Sequence, residues 1–207
     1  MLGYYNFSAV LTYVGLAISV FGMRFALTGH LSAALICLML SGVCDMFDGK
    51  IARRMDRTRQ EEKFGIQIDS LCDLICFGVL PICIGYSVGV NGAFGMFCSI
   101  LFLLAAVIRL GYFNVMEEER QSSTTEIRRS YRGLPVTTAA LIVPMVCFAK
   151  LLAGDLFHVV YELSLLVIAV LFLADFKVVK PHQKWLAAMV LLGLCIFALL
   201  VQFGKLL

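Results

Sequence analysis

Charged residues are scarce in this sequence, and their scarcity excludes an ordinary soluble domain. Asp, Glu, Lys and Arg make up 15% of the 207 residues, whereas hydrophobic residues make up 61% and the mean hydropathy is +0.92. Soluble domains average about a quarter charged residues. We therefore expect an all-α integral membrane protein that forms a single domain over residues 1–207, without a separate soluble domain.

Other absences narrow the function further. No basic tract alternates with aromatic residues and the net charge is only +3, so nucleic acid is not an expected partner. The eight cysteines form no Cys-x-x-Cys pair and lie almost wholly in apolar runs, which favours buried free thiols over zinc or disulfide chemistry. The first apolar stretch has no basic region before it, so we expect a retained span rather than a cleaved signal.

Apolar runs of about 20 residues, the length that crosses a bilayer, predict a polytopic helical bundle of about six to seven transmembrane helices. The predicted spans cover residues 8–27, 31–52, 65–87, 91–114, 134–153, 156–174 and 185–204. If the loop after the second span is cytoplasmic, all 17 lysines and arginines except Arg24, Lys150 and Lys205 lie on that side. The positive-inside rule favours this orientation.

Four aspartates interrupt the second and third predicted spans. They lie on two helical stripes, which consist of Asp45, Asp48, Gly49 and Ala52 on one helix and of Gly65, Asp69 and Asp73 on the next. Each charged side chain within a bilayer costs about 3 kcal/mol on insertion scales, so four carboxylates require a cation. Oxygen ligands alone favour Mg²⁺, Mn²⁺ or Ca²⁺ over zinc, and the nearby Arg53 can bind a phosphate.

These residues also have ordinary structural explanations. An aspartate near a helix end is often a cap or a solvated group, and small residues on a membrane helix often mark a packing site. Such explanations suffice for any two of the residues, but they do not explain the ordered array. A cation transporter is an alternative because acidic residues also line ion paths, although that function predicts carboxylates near the midplane and repeated halves.

The array resembles the signature of the CDP-alcohol phosphotransferases, D-x2-D-G-x2-A-R-(about eight)-G-x3-D-x3-D. Every fixed letter of this signature is present between Asp45 and Asp73. One departure is the spacer, since residues 54–64, eleven in all, separate Arg53 from Gly65. We expect the extra residues to lie in a cytoplasmic loop and to leave the ligand set intact.

The resemblance implies an enzyme that displaces CMP from a CDP-linked donor with an alcohol and that uses two divalent ions, Mg²⁺ or Mn²⁺, with Ca²⁺ as an alternative. By analogy Asp45, Asp48, Asp69 and Asp73 hold the metal, and Asp73 is also the catalytic general base. The donor-binding residues that the resemblance implies are Asp48, Gly49, Ala52, Arg53, Gly65 and Asp69. It also implies a homodimer and, together with the size of the chain, a location in the inner cell membrane. The positive-inside orientation predicts that the active site faces the cytoplasm.

Three runs further along the chain resemble those of bacterial and archaeal phosphatidylserine synthases, two of them in an acceptor-side region of about residues 109–136. The runs are Phe77-Gly78-x2-Pro81, Arg109-Leu-Gly-Tyr-Phe-Asn114 and Gly133-Leu-Pro135. They imply CDP-diacylglycerol as donor, L-serine as acceptor and phosphatidylserine as product, with Arg109, Asn114 and Arg132 as acceptor-binding candidates. The nearest alternative is a phosphatidylglycerol phosphate synthase, although its dianionic acceptor requires a denser basic pocket than Arg109 and Arg132 provide.

Overall fold

The computed structural model describes residues 7–52, 58–123, 130–179 and 183–203, which are mainly helical. The helices are α1 (Phe7–Leu27), α2 (Leu31–Ala52), α3 (Arg59–Asp73), α4 (Leu80–Ser87), α5 (Ala93–Ser123), α6 (Ala139–Phe148), α7 (Lys150–Ala153), α8 (Phe157–Leu173) and α9 (Gln183–Phe203). A π-helical turn, Leu74–Val79, joins α3 to α4, and 3₁₀ turns precede α6 and α8 at Val136–Thr138 and Gly154–Leu156. Two strands, β1 (Ser130–Arg132) and β2 (Lys177–Val179), pair antiparallel.

The prediction of a polytopic all-α bundle is confirmed. Among the described residues it did not include the short β1–β2 sheet. Five stretches within the described residues are long and apolar enough to cross a membrane, namely Ala9–Leu27, Leu31–Gly49, Arg59–Ser87, Ala93–Arg120 and Val136–Leu173. The fifth stretch contains both α6 and α8, which lie on either side of Gly154. A shorter apolar helix, Leu191–Gln202, lies within α9.

Two helices extend beyond their predicted spans because their polar ends are stabilised by side chains. Helix α3 begins at Arg59 rather than at residue 65, since Thr58 and Glu61 form a capping box. In this box the Thr58 amide donates to the Glu61 carboxylate at 2.7 Å, and the Glu61 amide donates to Thr58 Oγ1 at 3.3 Å. Helix α5 continues past residue 114, and Lys63 of α3 pairs with Glu118 of α5 at 2.7 Å. Hydropathy does not detect such polar helix ends.

Small residues and hydroxyl groups join α1 to α2. A Cβ atom on Gly15 would lie 3.2 Å from the Cβ of Cys44, so α1 and α2 are in close contact there. Ser41 Oγ of α2 donates to the Gly15 carbonyl of α1 at 2.9 Å and lies 2.8 Å from Ser19 Oγ. In a bilayer, helices associate through such close packing and polar contacts because lipid tails are as apolar as the side chains.

Aromatic side chains join α4, α5 and α8. The rings of Phe102 in α5 and Phe172 in α8 have centroids 5.7 Å apart. Tyr161 of α8 is fully buried, and its hydroxyl donates to the Pro81 carbonyl of α4 at 2.7 Å. Large apolar side chains on the outside of the bundle are exposed, as Phe97 is by 54%. The exterior therefore suits a lipid environment.

The close contact between α2 and α6 predicts a position-specific effect of adding one methyl group. A Cβ on Gly42 would lie only 2.7 Å from the Cβ of Ala140, whereas a Cβ on Gly111 of α5 meets nothing within 4 Å. We expect Gly42→Ala to destabilise the protein by about 1–3 kcal/mol through overpacking. Gly111→Ala should leave stability unchanged or raise it by up to ~1 kcal/mol, because alanine favours helix. Thermal unfolding in detergent, followed with a thiol-reactive dye, measures both; equal unfolding temperatures would contradict the packing.

Candidate active site

Asp45 and Asp48 lie in the last two turns of α2. The Asp48 side chain is buried, with 6% exposure, and Thr12 of α1 donates its hydroxyl to Asp48 Oδ2 at 2.9 Å. Thr12 reaches this carboxylate because Gly15, one turn further along α1, allows the two helices to approach. Helix α1 therefore supports the acidic end of α2.

Asp69 and Asp73 lie on α3, one turn apart and facing α2. Because α3 begins at Arg59, residues 59–64 of the long spacer are helical, and the expectation that the extra residues lie in a loop is wrong for this part. Residues 53–57 lie outside the described part of the chain. The longer spacer thus extends α3 on the N-terminal side of Gly65, and Asp69 and Asp73 still lie next to the carboxylates of α2.

The four aspartates form one cluster. Carboxylate oxygens of Asp45, Asp48 and Asp69 all lie within 4.8 Å of one another, and the carboxyl group of Asp73 lies beside that of Asp45. Neighbouring carboxylates cannot all remain ionised without a compensating positive charge. The cluster therefore needs either protons or a cation.

This donor set fits a hard divalent cation. Every ligand atom is a carboxylate oxygen, which Mg²⁺, Mn²⁺ and Ca²⁺ prefer, and no imidazole or thiolate belongs to the set. The three oxygens come from two helices, α2 and α3, and both helices pack against α1, so the site does not rely on a mobile loop. Asp45, Asp48 and Asp69 could hold a metal ion, and Asp73 lies next to them.

A π-helical turn follows Asp73 immediately. Within it the Leu80 amide donates to the carbonyl of Ile75, five residues back. Such wide turns are frequent at functional sites. Phe77 is buried with 1% exposure, and the missing side chain of Gly78 lets Leu103 of α5 approach to 3.1 Å from where a Cβ would lie. The Phe77-Gly78-x2-Pro81 run therefore packs the helix that carries Asp73 against α5.

The structure describes only some of the predicted donor-binding residues. Gly49 follows Asp48 on α2, and a Cβ there would meet nothing within 4 Å, so its position borders open space. Gly65 is partly exposed on α3. Ala52 ends α2, although its side chain is not described, and Arg53 lies outside the described residues. Donor binding by these residues stays a prediction.

Arg109 of α5 contacts the backbone of the acceptor-side region. Its guanidinium is buried, with 7% exposure of the residue, and donates to the Leu134 carbonyl at 3.1 Å and to the Gly133 carbonyl at 3.5 Å. Gly133 has a φ of 71°, and a Cβ there would lie 3.0 Å from the Ala174 carbonyl, so this turn requires glycine. Arg109 thus holds the segment between β1 and α6 in place.

Asn114 joins α5 to the helix that carries the aspartates. Its side-chain oxygen accepts a hydrogen bond from Ser70 Oγ at 2.7 Å, and its amide nitrogen donates to Gln67 Oε1 at 3.5 Å. Arg132 lies in β1, and its side chain is not described. The three acceptor candidates are therefore on α5 and on the strand that follows it, but acceptor binding by them stays a prediction.

Sequence reasoning missed two residues of this region, Thr12 and Ser70. Thr12 is a polar residue within an apolar span and carries no motif, so only its position opposite Asp48 identifies it. Ser70 lies between Asp69 and Asp73, but its contact with Asn114 depends on how α3 packs on α5. The available signal was the presence of hydroxyl groups in membrane helices, which usually have a hydrogen-bond partner there.

Comparison with known protein families agrees with this arrangement. The sequence model of the CDP-alcohol phosphatidyltransferase family matches residues 5–174, which include the whole aspartate cluster and the acceptor-side region. The chain belongs to this family. Its members generally depend on a divalent metal, and the aspartate cluster could bind one.

Curated relatives include enzymes from yeast, bacteria and archaea. The CDP-diacylglycerol–serine O-phosphatidyltransferase of Saccharomyces cerevisiae is 35% identical over 139 residues, which cover 64% of this chain and 49% of that protein. The enzyme of the same name from Helicobacter pylori is 41% identical over 108 residues, 51% of this chain and 42% of its own. The archaetidylserine synthase of Methanothermobacter thermautotrophicus is 33% identical over 119 residues, which cover 57% of this chain and 47% of that protein. The chain thus spans about half the length of these relatives.

The crowding of the carboxylates predicts opposite effects of one substitution with and without metal. In a chelator, Asp69→Asn should raise the unfolding temperature because it removes a like charge next to Asp45 and Asp48. At a Mn²⁺ concentration of about 100 times the dissociation constant, the wild type should gain about 2.7 kcal/mol and Asp69→Asn much less.

Thermal unfolding of both proteins in chelator and in Mn²⁺ tests this prediction. Asp155→Asn is the matched control, because Asp155 is an exposed aspartate in the turn before α8. A wild type whose unfolding temperature is the same in chelator and in Mn²⁺ would contradict metal binding at the cluster.

Proposed function

We propose that this protein transfers the phosphatidyl group of CDP-diacylglycerol to the hydroxyl of L-serine and releases phosphatidylserine and CMP. The observation that carries the phosphotransfer is the cluster of Asp45, Asp48, Asp69 and Asp73, which α2 and α3 bring together. The choice of serine is supported by relatives at 33–41% identity that are named as serine-transferring enzymes or as an archaetidylserine synthase.

The residues of α2 and α3 bind the donor in this proposal. Asp45, Asp48 and Asp69, with Asp73 beside them, would hold two divalent ions, Mg²⁺ or Mn²⁺. Such ions neutralise the diphosphate and stabilise CMP as it departs. The cytidine-phosphate part of the donor would lie along Gly49, Ala52, Arg53 and Gly65, where the absence of bulk at Gly49 leaves room next to the carboxylates.

Asp73 acts as the general base. It takes the proton of the serine hydroxyl as the serine oxygen bonds to the phosphorus that carries the diacylglycerol, while the bond from this phosphorus to the CMP oxygen breaks. The proton therefore moves to Asp73 and the electron pair of the broken bond leaves with CMP. Asp73 lies beside Asp45, so the base would stand next to the carboxylates that hold the metal.

The acceptor binds between α5 and the segment that follows it. Arg109, Asn114 and Arg132 remain our candidates for acceptor binding. Arg109 donates to the backbone carbonyls of Gly133 and Leu134, so it would help to position this segment for the acceptor. Asn114 would act next to Asp73, because its partner Ser70 lies one turn before Asp73 on α3.

We further propose that the active site faces the cytoplasm and that the protein is a homodimer of the inner cell membrane. The distribution of lysine and arginine supports this orientation, since the loops next to the aspartates are rich in both. The substrates then meet at the membrane surface, with CDP-diacylglycerol supplied from the lipid and serine from water.

The decisive experiment measures CMP release by the purified protein with Mn²⁺ and CDP-diacylglycerol, with serine, glycerol 3-phosphate or inositol phosphate as acceptor. We expect CMP release with serine and none with the other two acceptors. We also expect Asp73→Asn to lower the rate by about 10²–10⁴-fold, as loss of a general base does. A preference for glycerol 3-phosphate would contradict the choice of serine and would favour a phosphatidylglycerol phosphate synthase instead. No CMP with any alcohol would exclude the family's phosphotransfer for this protein.

The open space at Gly49 predicts that Gly49→Ala affects donor binding without affecting the fold. Its added methyl group meets no described atom, so the unfolding temperature should stay constant or rise. A bound cytidine phosphate would meet the methyl group, and a clash of about 1 kcal/mol raises the KM for CDP-diacylglycerol about fivefold. Gly193→Ala in α9 is the matched control, because a Cβ there would make only an ordinary contact with Leu141 at 3.5 Å. An unchanged KM in Gly49→Ala would place the donor elsewhere.

A further inference from the structure

Thr12 is the one described side chain outside α2 and α3 for which the structure gives a direct hydrogen bond to the aspartate cluster. Its hydroxyl donates to Asp48 Oδ2 at 2.9 Å. Thr12 belongs to α1, which carries no part of the family signature, and Asp48 is buried with 6% exposure. A hydrogen bond from a neutral hydroxyl to a carboxylate is charge-assisted and is therefore stronger than one between neutral groups.

Helix α1 is held against α2 in a fixed register that aligns Thr12 with Asp48. Thr12, Gly15 and Ser19 follow one another at three- and four-residue intervals, so they share one stripe of α1. Each of them contacts α2. Gly15 and Ser19 do so through Ser41, and Thr12 does so through Asp48. A shift of α1 by one turn would break all of these contacts, so the register determines which residue reaches Asp48.

We infer that Thr12 is a positioning residue for the metal site: its hydrogen bond fixes one oxygen of Asp48 and so sets the direction in which this carboxylate presents itself to a cation. The inference rests on the proposed function, since it assumes that Asp48 is a metal ligand. A carboxylate without such a partner can rotate about its side-chain bonds. Partners of this kind commonly change metal affinity by about 10–100-fold when they are removed.

Manganese binding to the purified protein in detergent, measured from the electron paramagnetic resonance signal of free Mn²⁺, tests this inference. Thr12→Val keeps the shape of the side chain and removes the hydroxyl, and we expect it to weaken Mn²⁺ binding about tenfold. Thr12→Ser keeps the hydroxyl and should stay within about threefold of the wild type. Thr12→Ala is a second variant that lacks the hydroxyl and introduces no branched side chain.

Ser19→Ala is the matched control because it removes another hydroxyl of α1 that contacts α2, away from the aspartates. We expect it to lower the unfolding temperature and to leave Mn²⁺ affinity unchanged. CMP release provides a second readout. The Mn²⁺ concentration for half-maximal rate should rise in Thr12→Val by the same factor as the dissociation constant, with the maximal rate largely recovered at saturating Mn²⁺.

The outcomes separate this inference from the proposed function. If Thr12→Val and Thr12→Ala bind Mn²⁺ as tightly as the wild type while Asp48→Asn does not, Thr12 has only a packing role and the inference is overturned. If Asp48→Asn binds Mn²⁺ as well as the wild type does, Asp48 is not a ligand, and both the metal assignment and the inference fail. If Ser19→Ala weakens Mn²⁺ binding as much as Thr12→Val does, the inference is also overturned.

Discussion

Electrostatic repulsion within the aspartate cluster is the constraint on which the rest of the structure depends. Three carboxylates have oxygens within 4.8 Å of one another and the fourth lies beside them, within stretches that are long and apolar enough to cross a membrane. Such an arrangement opposes folding unless protons or cations neutralise it. The helices that carry the cluster must therefore be held together by contacts elsewhere, and these contacts determine how the bundle is built.

The supporting contacts rely on small residues and hydroxyl groups because lipid tails give little hydrophobic drive for helix association. Gly15 and Ser41 bring α1 against α2, and Gly42 brings α2 against α6. On the other side, the capping box at Thr58 begins α3 before the aspartates, so these lie within a helix that is already several turns long. The charged groups thus stand on rigid elements, which a site that selects a cation by ligand geometry requires.

Much of this could be predicted from the sequence, since hydropathy identifies the spans and the spacing of Asp45, Asp48, Asp69 and Asp73 places them on two facing stripes. The start of α3 at Arg59 and the β1–β2 pairing could not be predicted in this way. Polar helix ends have no hydropathy signal, and the strands lie far apart in the sequence and are only three residues long. The contacts of Thr12 and Ser70 depend on helix register, which a single sequence does not determine.

The division between signature and acceptor-side residues has a structural basis. The signature lies on α2 and α3, whereas Arg109, Asn114 and Arg132 lie on α5 and β1, so the acceptor-side segment can vary while the carboxylates stay in place. The hydrogen bond between Ser70 and Asn114 nevertheless ties α5 to α3 next to Asp73. In our proposal, an acceptor bound against α5 is consequently held at a fixed distance from its base. A change of acceptor then requires changes on α5 and around Gly133, and none among the aspartates.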